Sequence, residues 1–308
     1  MISIVVPVFN EQEVLRELYR CVSNVMKQVA MPFELILVND GSTDQSLDIM
    51  LELWQQDKNV KVIDLSRNFG HQMAIMAGLE YTCGDAVITM DGDLQHPPEL
   101  IDAFIKKWQQ GYEVVYTSRD HTGDASLFKT MTSRLFYTIV NRLAEVHIPP
   151  GAADFRLLDR KVVEAIRALG ERAVFLRGLV SWVGYRQTAI RYEAAARYSG
   201  KSKYSIIRML RFATDGVTSF SSIPLYISAF IGILMSMLGF IYGAFAIYAR
   251  MFTDRVVEGW TSVIVAVLFL GGINLITLGI QGTYLARIYN EVKGRPRYFV
   301  RRTYGVDR

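Results

Sequence analysis

The 308-residue sequence predicts an α/β domain with a mostly parallel sheet, followed by amphipathic interfacial helices and a two-helix transmembrane hairpin. Three observations carry that expectation. Short β-branched runs alternate with helical stripes through residues 1–169, the pattern of right-handed βαβ units. Acidic and small residues follow several of those runs directly, at the carboxyl ends where open α/β sheets hold ligands. Residues 216–249 and 261–286 contain no Asp, Glu, Lys or Arg, whereas residues 1–211 mix charged and apolar side chains normally.

The elements follow in order. Residues 2–8 are a near-continuous β-branched run, expected as a strand buried on both faces and ending at Pro7. Residues 11–29 have helical spacing, with Val14, Leu15, Leu18, Val22, Val25 and Val29 on one stripe. Residues 33–38 form a second strand, and the loop after it offers Ser42 or Thr43 as the cap of a helix over 47–56. Further strands are expected at 60–65, 86–90 and 113–118, with helices over 72–81 and 100–109, the latter started by Pro97-Pro98-Glu99. A helix over 126–143, a strand or turn over 151–158 and a helix over 160–169 complete the domain. Residues 200–223 interleave Lys201, Lys203, Arg208 and Arg211 with apolar residues, as an interfacial helix does.

The segments 225–249 and 262–286 each exceed the ~20 residues that cross a bilayer. Positive residues gather before the first span and after the second, so the expected domain and both termini are cytoplasmic, in a bacterial inner membrane. The division is a catalytic domain over 1–200, a juxtamembrane segment over 201–224, spans at 225–249 and 261–287 about a short loop at 250–260, and a basic tail over 288–308. Gly239 and Gly243 form a Gly-x-x-x-Gly pattern that permits close helix approach, within the hairpin or in a homo-oligomer.

Composition excludes several classes. A net charge of +4 gives little support to a nucleic-acid partner, and the basic clusters at 191–211 and 293–302 suit an anionic lipid surface. The two cysteines, Cys21 and Cys83, fit neither a zinc framework nor a disulfide scaffold and are expected to be buried structural thiols. His71, His96, His121 and His147 show no zinc spacing and are expected in structural or surface roles. No secretory leader is expected, since Met1 leads straight into a strand. No Gly-x-Gly-x-x-Gly follows the first strand, which disfavours a dinucleotide oxidoreductase.

The central stretch is Ala86-Val-Ile-Thr-Met-Asp-Gly-Asp-Leu-Gln95, a buried strand that delivers Asp91 and Asp93 at its end. Two carboxylates one residue apart can share a hard divalent cation, which in turn can hold a diphosphate. Asp-Gly-Asp alone is also an ordinary acidic turn. Its company is more specific: Val5-Val-Pro-Val-Phe-Asn10-Glu11, Val38-Asn-Asp40-Gly-Ser-Thr-Asp44, Ser66-Arg-Asn-Phe-Gly70, Gly151-Ala-Ala-Asp-Phe-Arg156 and Gly200-Lys-Ser-Lys-Tyr-Ser205.

In that order and spacing these residues resemble the family-2 inverting glycosyltransferases of the A-type fold, and among them the polyprenyl-phosphate glycosyltransferases of bactoprenol glucosyltransferase type. The resemblance implies that Asp91, Asp93 and Gln95 hold Mg²⁺ or Mn²⁺ and the donor diphosphate, with Gly92 in the same turn. It places a nucleotide sugar against Pro7, Val8, Asn10, Glu11 and Asp40, with Arg67 and Gly70 near the same pocket. Asp40 and Glu11 equally suit helix capping. Arg197, Lys201 and Lys203 are candidates for neutralising the leaving diphosphate. The resemblance further implies that Arg119, Ser133 and Arg134, beside Lys129, hold a lipid phosphate.

A lipid phosphate is already a competent nucleophile, so Asp154 is expected to orient rather than to act as a base. The expected reaction moves glucose from UDP-glucose to undecaprenyl phosphate, for cell-envelope glycans such as O-antigen. Mannose or aminoarabinose donors remain alternatives, as does a non-catalytic membrane scaffold or nucleotide-sugar sensor. A processive polysaccharide synthase would carry a Gln-x-x-Arg-Trp motif and more spans, and the sequence has neither.

Overall fold

A computed structural model describes residues 1–119, 152–171, 175–192, 218, 221–252 and 259–306. Its core is a sheet with strands β1 (Ile2–Val8), β2 (Phe33–Asn39), β3 (Val60–Leu65), β4 (Ala86–Thr89), β5 (Val114–Arg119), β6 (Ala152–Asp159), β7 (Gln187–Tyr192) and β8 (Val300–Tyr304). Among the described residues their order is β7-β5-β6-β4-β1-β2-β3-β8. β4, β1, β2 and β3 run parallel, so all four point their carboxyl ends the same way. β6 runs antiparallel to β4, which brings its starting residues to that same edge of the sheet.

The helices are α1 (Leu15–Val29), α2 (Ser46–Gln56), α3 (His71–Glu80), α4 (Leu100–Gln109), α5 (Arg160–Ala168) and α6 (Leu176–Trp182). They cover both faces of the sheet. Ile4, Val6, Leu35 and Ile88 pack on one face against Leu18, Val22, Met50 and Phe104. Val5, Ile36, Val38 and Val87 pack on the other against Ala74, Ile75, Val162 and Leu179. This two-sided burial explains why β1 reads as a solid apolar run rather than an alternation.

Several local expectations are corrected. β1 runs through Pro7 to Val8, where Pro7 lies opposite Val38 of β2. The first helix begins at Leu15, because residues 11–13 turn instead to meet the loop after β2. Asp44, not Ser42 or Thr43, accepts the Ser46 amide at the start of α2. Cys21 is only half-buried, on the flank of α1 above Glu17, and Cys83 is exposed in the turn before β4. The amide of Cys83 is the group the fold uses, donating to the buried Glu34 at 2.7 Å.

Beyond the sheet, α7 (Ile223–Phe252) and α8 (Trp260–Val292) are two helices long and apolar enough to cross a membrane, by length and composition. Their apolar side chains face outward: Phe240 is 78% exposed and Leu268 70%. Both helices extend past the expected spans. Residues 293–299 then lead back to β8, which joins the edge of the sheet antiparallel to β3. The basic tail therefore supplies an edge strand of the α/β sheet. Periodicity gave no sign of this, since β8 holds only Val-Arg-Arg-Thr-Tyr.

Candidate active site

The parallel strands end in loops that are stitched to one another. After β1, Asn10 adopts a left-handed φ of 56° and its Oδ1 accepts the Thr43 amide at 2.8 Å. The Asn10 amide donates to Ser42 Oγ at 3.1 Å, and the Glu11 amide to Ser46 Oγ at 2.9 Å. Asp40, 2% exposed, accepts the amides of Phe69 and Gly70 at 2.7 and 3.0 Å and so fixes the loop after β3. Burial pushes its carboxyl upward, and those two amides work against the shift. Gly41 sits where this loop crosses closest: its φ is +69°, and a Cβ there would stand 2.5 Å from Arg67 backbone carbon. Arg67 itself is exposed, its guanidinium 4.1 Å over the Phe69 ring.

The acidic turn follows β4. Gly92 lies against Pro7, where a Cβ would come 3.3 Å from the carbonyl, and Leu94 takes a left-handed φ of 56°. Asp93 Oδ1 accepts the Gln95 amide at 3.1 Å, tying the turn together. Glu11 lies near enough to Asp93 and Asp44 that burial, then those two charges, raise its carboxyl above the ordinary range. Three acids thus crowd the ends of adjacent strands.

Asp91 is held by two histidines. His96, 6% exposed, places Nε2 3.0 Å from Asp91 Oδ2 and Nδ1 2.9 Å from the Tyr192 hydroxyl. A carboxylate only accepts, so Nε2 donates to Asp91, and in the neutral imidazole Nδ1 is then the acceptor for the Tyr192 hydroxyl. The ring packs between Phe155 and Tyr192, with centroids 5.2 and 5.9 Å away. His71 Nε2 stands 3.2 Å from Asp91 Oδ1 and 3.9 Å from Asp154 Oδ2. Asp91 Oδ1 is nevertheless buried without a hydrogen bond.

Asp154 enters from β6 on the other side of the turn. Arg177 of α6 grips it with Nε on Oδ1 at 2.9 Å and Nη2 on Oδ2 at 2.8 Å, and Arg156 Nη2 adds a contact to Oδ1 at 3.3 Å. Burial alone would raise this carboxyl, but Arg177 and then Arg156 hold it well below the usual carboxylate range. A carboxylate so held is a poor proton acceptor. Burial pushes the fully enclosed Arg156 down to about 10 against the pull of Asp154.

These residues fit a hard divalent cation. Asp91 and Asp93 offer oxygen donors, one of them a buried oxygen lacking a hydrogen bond, with Gln95 in the same turn. Among the described residues no three His, Cys, Asp or Glu side chains converge as a cage. Mg²⁺ and Mn²⁺ are commonly held by one or two carboxylates and completed by substrate phosphates.

The structure gathers Pro7, Val8, Asn10, Glu11, Asp40, Arg67, Gly70, Asp91, Gly92, Asp93, Gln95 and Asp154 about one edge of the sheet. Arg119 ends β5, opposite Tyr192 of β7. Lys129, Ser133, Arg134, Arg197, Lys201 and Lys203 lie outside the described residues, as do His121 and His147. Sequence reasoning missed His71, His96, Arg156, Arg177 and Tyr192. His71 and His96, expected in structural or surface roles, both reach Asp91, His96 from a buried position and His71 from a partly exposed one. His96, one residue beyond Gln95, carried a signal; Arg177 and Tyr192 carried none.

The Glycosyl transferase family 2 profile matches residues 3–167. The chain is 47% identical over 305 residues to the uncharacterized glycosyltransferase YkcC of Bacillus subtilis, covering 99% of this chain and 94% of that protein. It is 39% identical over 303 residues to the SfII prophage-derived bactoprenol glucosyl transferase of Shigella flexneri, covering 98% of each. A more distant likeness is the solved glucosyl-3-phosphoglycerate synthase of Mycobacterium tuberculosis, 14% identical with a TM-score of 0.47, covering 71% of this chain and 77% of that one.

Proposed function

From the premise that this chain belongs to glycosyl transferase family 2 and is a glycosyltransferase, we propose that it transfers glucose from UDP-glucose to a polyprenyl phosphate at a membrane. The observation that carries this reading is the union, in one chain, of a phosphate-compatible acidic turn with two exposed apolar helices tied back to the same sheet. Near-complete overlap with a relative named for bactoprenol supports it. Undecaprenyl phosphate is the proposed acceptor, and the product is an activated sugar donor for envelope glycan such as O-antigen. The membrane is the bacterial inner membrane, with the domain and both termini cytoplasmic; the return of β8 to the sheet supports one shared side.

In this reading the stitched loops carrying Asn10, Glu11, Asp40, Arg67 and Gly70, beside Pro7 and Val8, hold the nucleoside end of the donor. Asp91, Asp93 and Gln95 hold Mg²⁺ or Mn²⁺, which when bound neutralises charge on the departing diphosphate. His96 and Tyr192 fix the Asp91 carboxylate through one orientation of the imidazole. Arg119, Lys129, Ser133 and Arg134 are assigned to the lipid phosphate, and Arg197 and Lys203 to neutralising the leaving diphosphate. An acceptor phosphate oxygen attacks the sugar C1 as the bond from C1 to the UDP oxygen breaks, inverting that centre. No proton need be removed from a phosphate already ionised. Asp154 accordingly orients Arg177 and Arg156 and leaves the acceptor's protons alone.

The test is transfer of radiolabelled sugar from a panel of UDP- and GDP-sugars to undecaprenyl phosphate in detergent, with Mg²⁺, Mn²⁺ or chelator. Label in organic-soluble lipid from UDP-glucose alone, lost with chelator, is the expected result. Label from GDP-mannose or a UDP-aminoarabinose derivative would move the donor. No label under any condition would leave a sensor or scaffold as the reading to pursue.

A further inference from the structure

β8 pairs with β3 through a register slip. Asp64 faces Arg302, and Leu65 faces Val300, so Arg301 is the extra residue of a bulge. A bulge re-aims the side chain it carries. Here the Arg301 guanidinium reaches back over the end of β3, with Nη2 donating to Ser66 O at 2.7 Å and Nη1 to Asp64 Oδ2 at 3.4 Å.

Asp64 is 3% exposed, and its other oxygen accepts Asn39 Nδ2 at 2.8 Å. Asn39 Oδ1 accepts the Ser42 amide at 3.0 Å, and Ser42 Oγ accepts the Asn10 amide at 3.1 Å. One hydrogen-bonded line therefore runs from the C-terminal strand to the loops after β2 and β1. A second link runs beside it: the Ser66 amide donates to Phe299 O at 2.9 Å, and the Phe299 ring lies 6.3 Å from that of Phe69. Tyr304 and Gly305 anchor the far end of β8 on Trp54, the Tyr304 ring at 5.4 Å. Only residues 293–299 separate this strand from α8.

We propose that Arg301 is a positioning residue for the donor pocket, acting through Asp64 and Asn39, and that β8 thereby couples the membrane anchor to nucleotide-sugar binding. The pocket assignment rests on the function proposed above; the coupling itself rests on the hydrogen bonds. Without Arg301, the buried Asp64 carboxylate loses its cation and must draw on Asn39 or on water for compensation. Either response re-aims the Asn39 side chain whose Oδ1 holds the Ser42 amide.

The experiment uses the full chain in lipid nanodiscs and three forms: wild type, Arg301→Ala, and Arg301→Ala with Asp64→Asn. Arg301→Ala should raise the KM for UDP-glucose about tenfold with the polyprenyl phosphate KM unchanged, and should speed hydrogen exchange at the Ser42 amide. Replacing Asp64 by Asn removes the uncompensated charge, so the double variant should return to within about twofold of wild type in both readouts. Unchanged Ser42 exchange in the single variant, or a double variant no better than the single, would overturn the coupling. A rise in both KM values together would reduce Arg301 to general stability. If wild type fails to use or bind UDP-glucose, the proposed function falls, and Ser42 exchange still decides the coupling.

Discussion

The two halves of the strand-end surface are built from different materials. On the β1, β2 and β3 side, neutral side chains bond to backbone amides: Asn10 to Thr43, Ser42 to Asn10, Ser46 to Glu11, Asn39 to Ser42. On the β4, β6 and α6 side, the contacts are between ionisable groups: Asp91 with His96 and His71, Asp154 with Arg177 and Arg156. The first half also carries Asp40, Asp44 and Glu11, but its loops are joined chiefly by side-chain bonds to backbone amides, a frame suited to a nucleoside. The second half keeps charges close together, with Asp154 and Arg156 buried and Asp91 and His71 partly open to solvent, a setting in which charge acts strongly on phosphate. In the function proposed above, the first half holds the donor and the second acts where its bond breaks.

The largest expected effect falls in the charged half. Asp93→Ala should lower transfer by about a thousandfold or more while membrane insertion is retained, read as labelled lipid against membrane-fraction yield. Persistent activity with divalent cation present would remove Asp93 from the site.

Next comes Asp154→Asn. It leaves Arg156 and Arg177 without their counter-ion and should cost about 3 kcal/mol at neutral pH. Because the folded-state carboxyl is held low, the stability Asp154 contributes is present above the ordinary carboxylate range and is lost as pH falls below it. Thermal unfolding followed downward from about pH 5 should therefore slope less in the Asn variant than in wild type. Equal slopes would show that another acid dominates that limb.

Gly41→Ala tests the neutral half. The added methyl meets the Arg67 and Asn68 backbone at 2.5 Å in a left-handed conformation, so about 2–4 kcal/mol of destabilisation is expected. The accompanying loss should appear in donor affinity, measured by UDP-glucose titration. A smaller effect, about fivefold in activity, is expected of Tyr192→Phe, which removes only the hydroxyl that fixes His96. A fall in apparent affinity for Mn²⁺, followed by the ion's own paramagnetic signal, would separate this from a packing defect.

The same contrast explains what was legible in the sequence. The parallel core was readable because burial on both faces writes itself as unbroken apolar runs such as Ile4-Val5-Val6. The acidic turn was readable because its residues are contiguous, Asp91 to Gln95. The charged half draws on residues far apart in the chain: Arg177 meets Asp154 across 23 positions and Tyr192 meets His96 across 96. Nothing local distinguishes such an arginine or tyrosine from a surface one. β8 escaped for another reason. An edge strand of five residues, with two arginines, needs no apolar alternation because its ladder and the Trp54 contact hold it.

The most direct test of the division compares Asn10→Ala with Arg177→Ala in one steady-state assay with UDP-glucose and polyprenyl phosphate. The frame variant should raise the donor KM severalfold at nearly constant kcat, and the charged-cluster variant should lower kcat about a hundredfold at nearly constant donor KM. If both variants move the same parameter by similar factors, the two halves are not separate in function and the division is wrong.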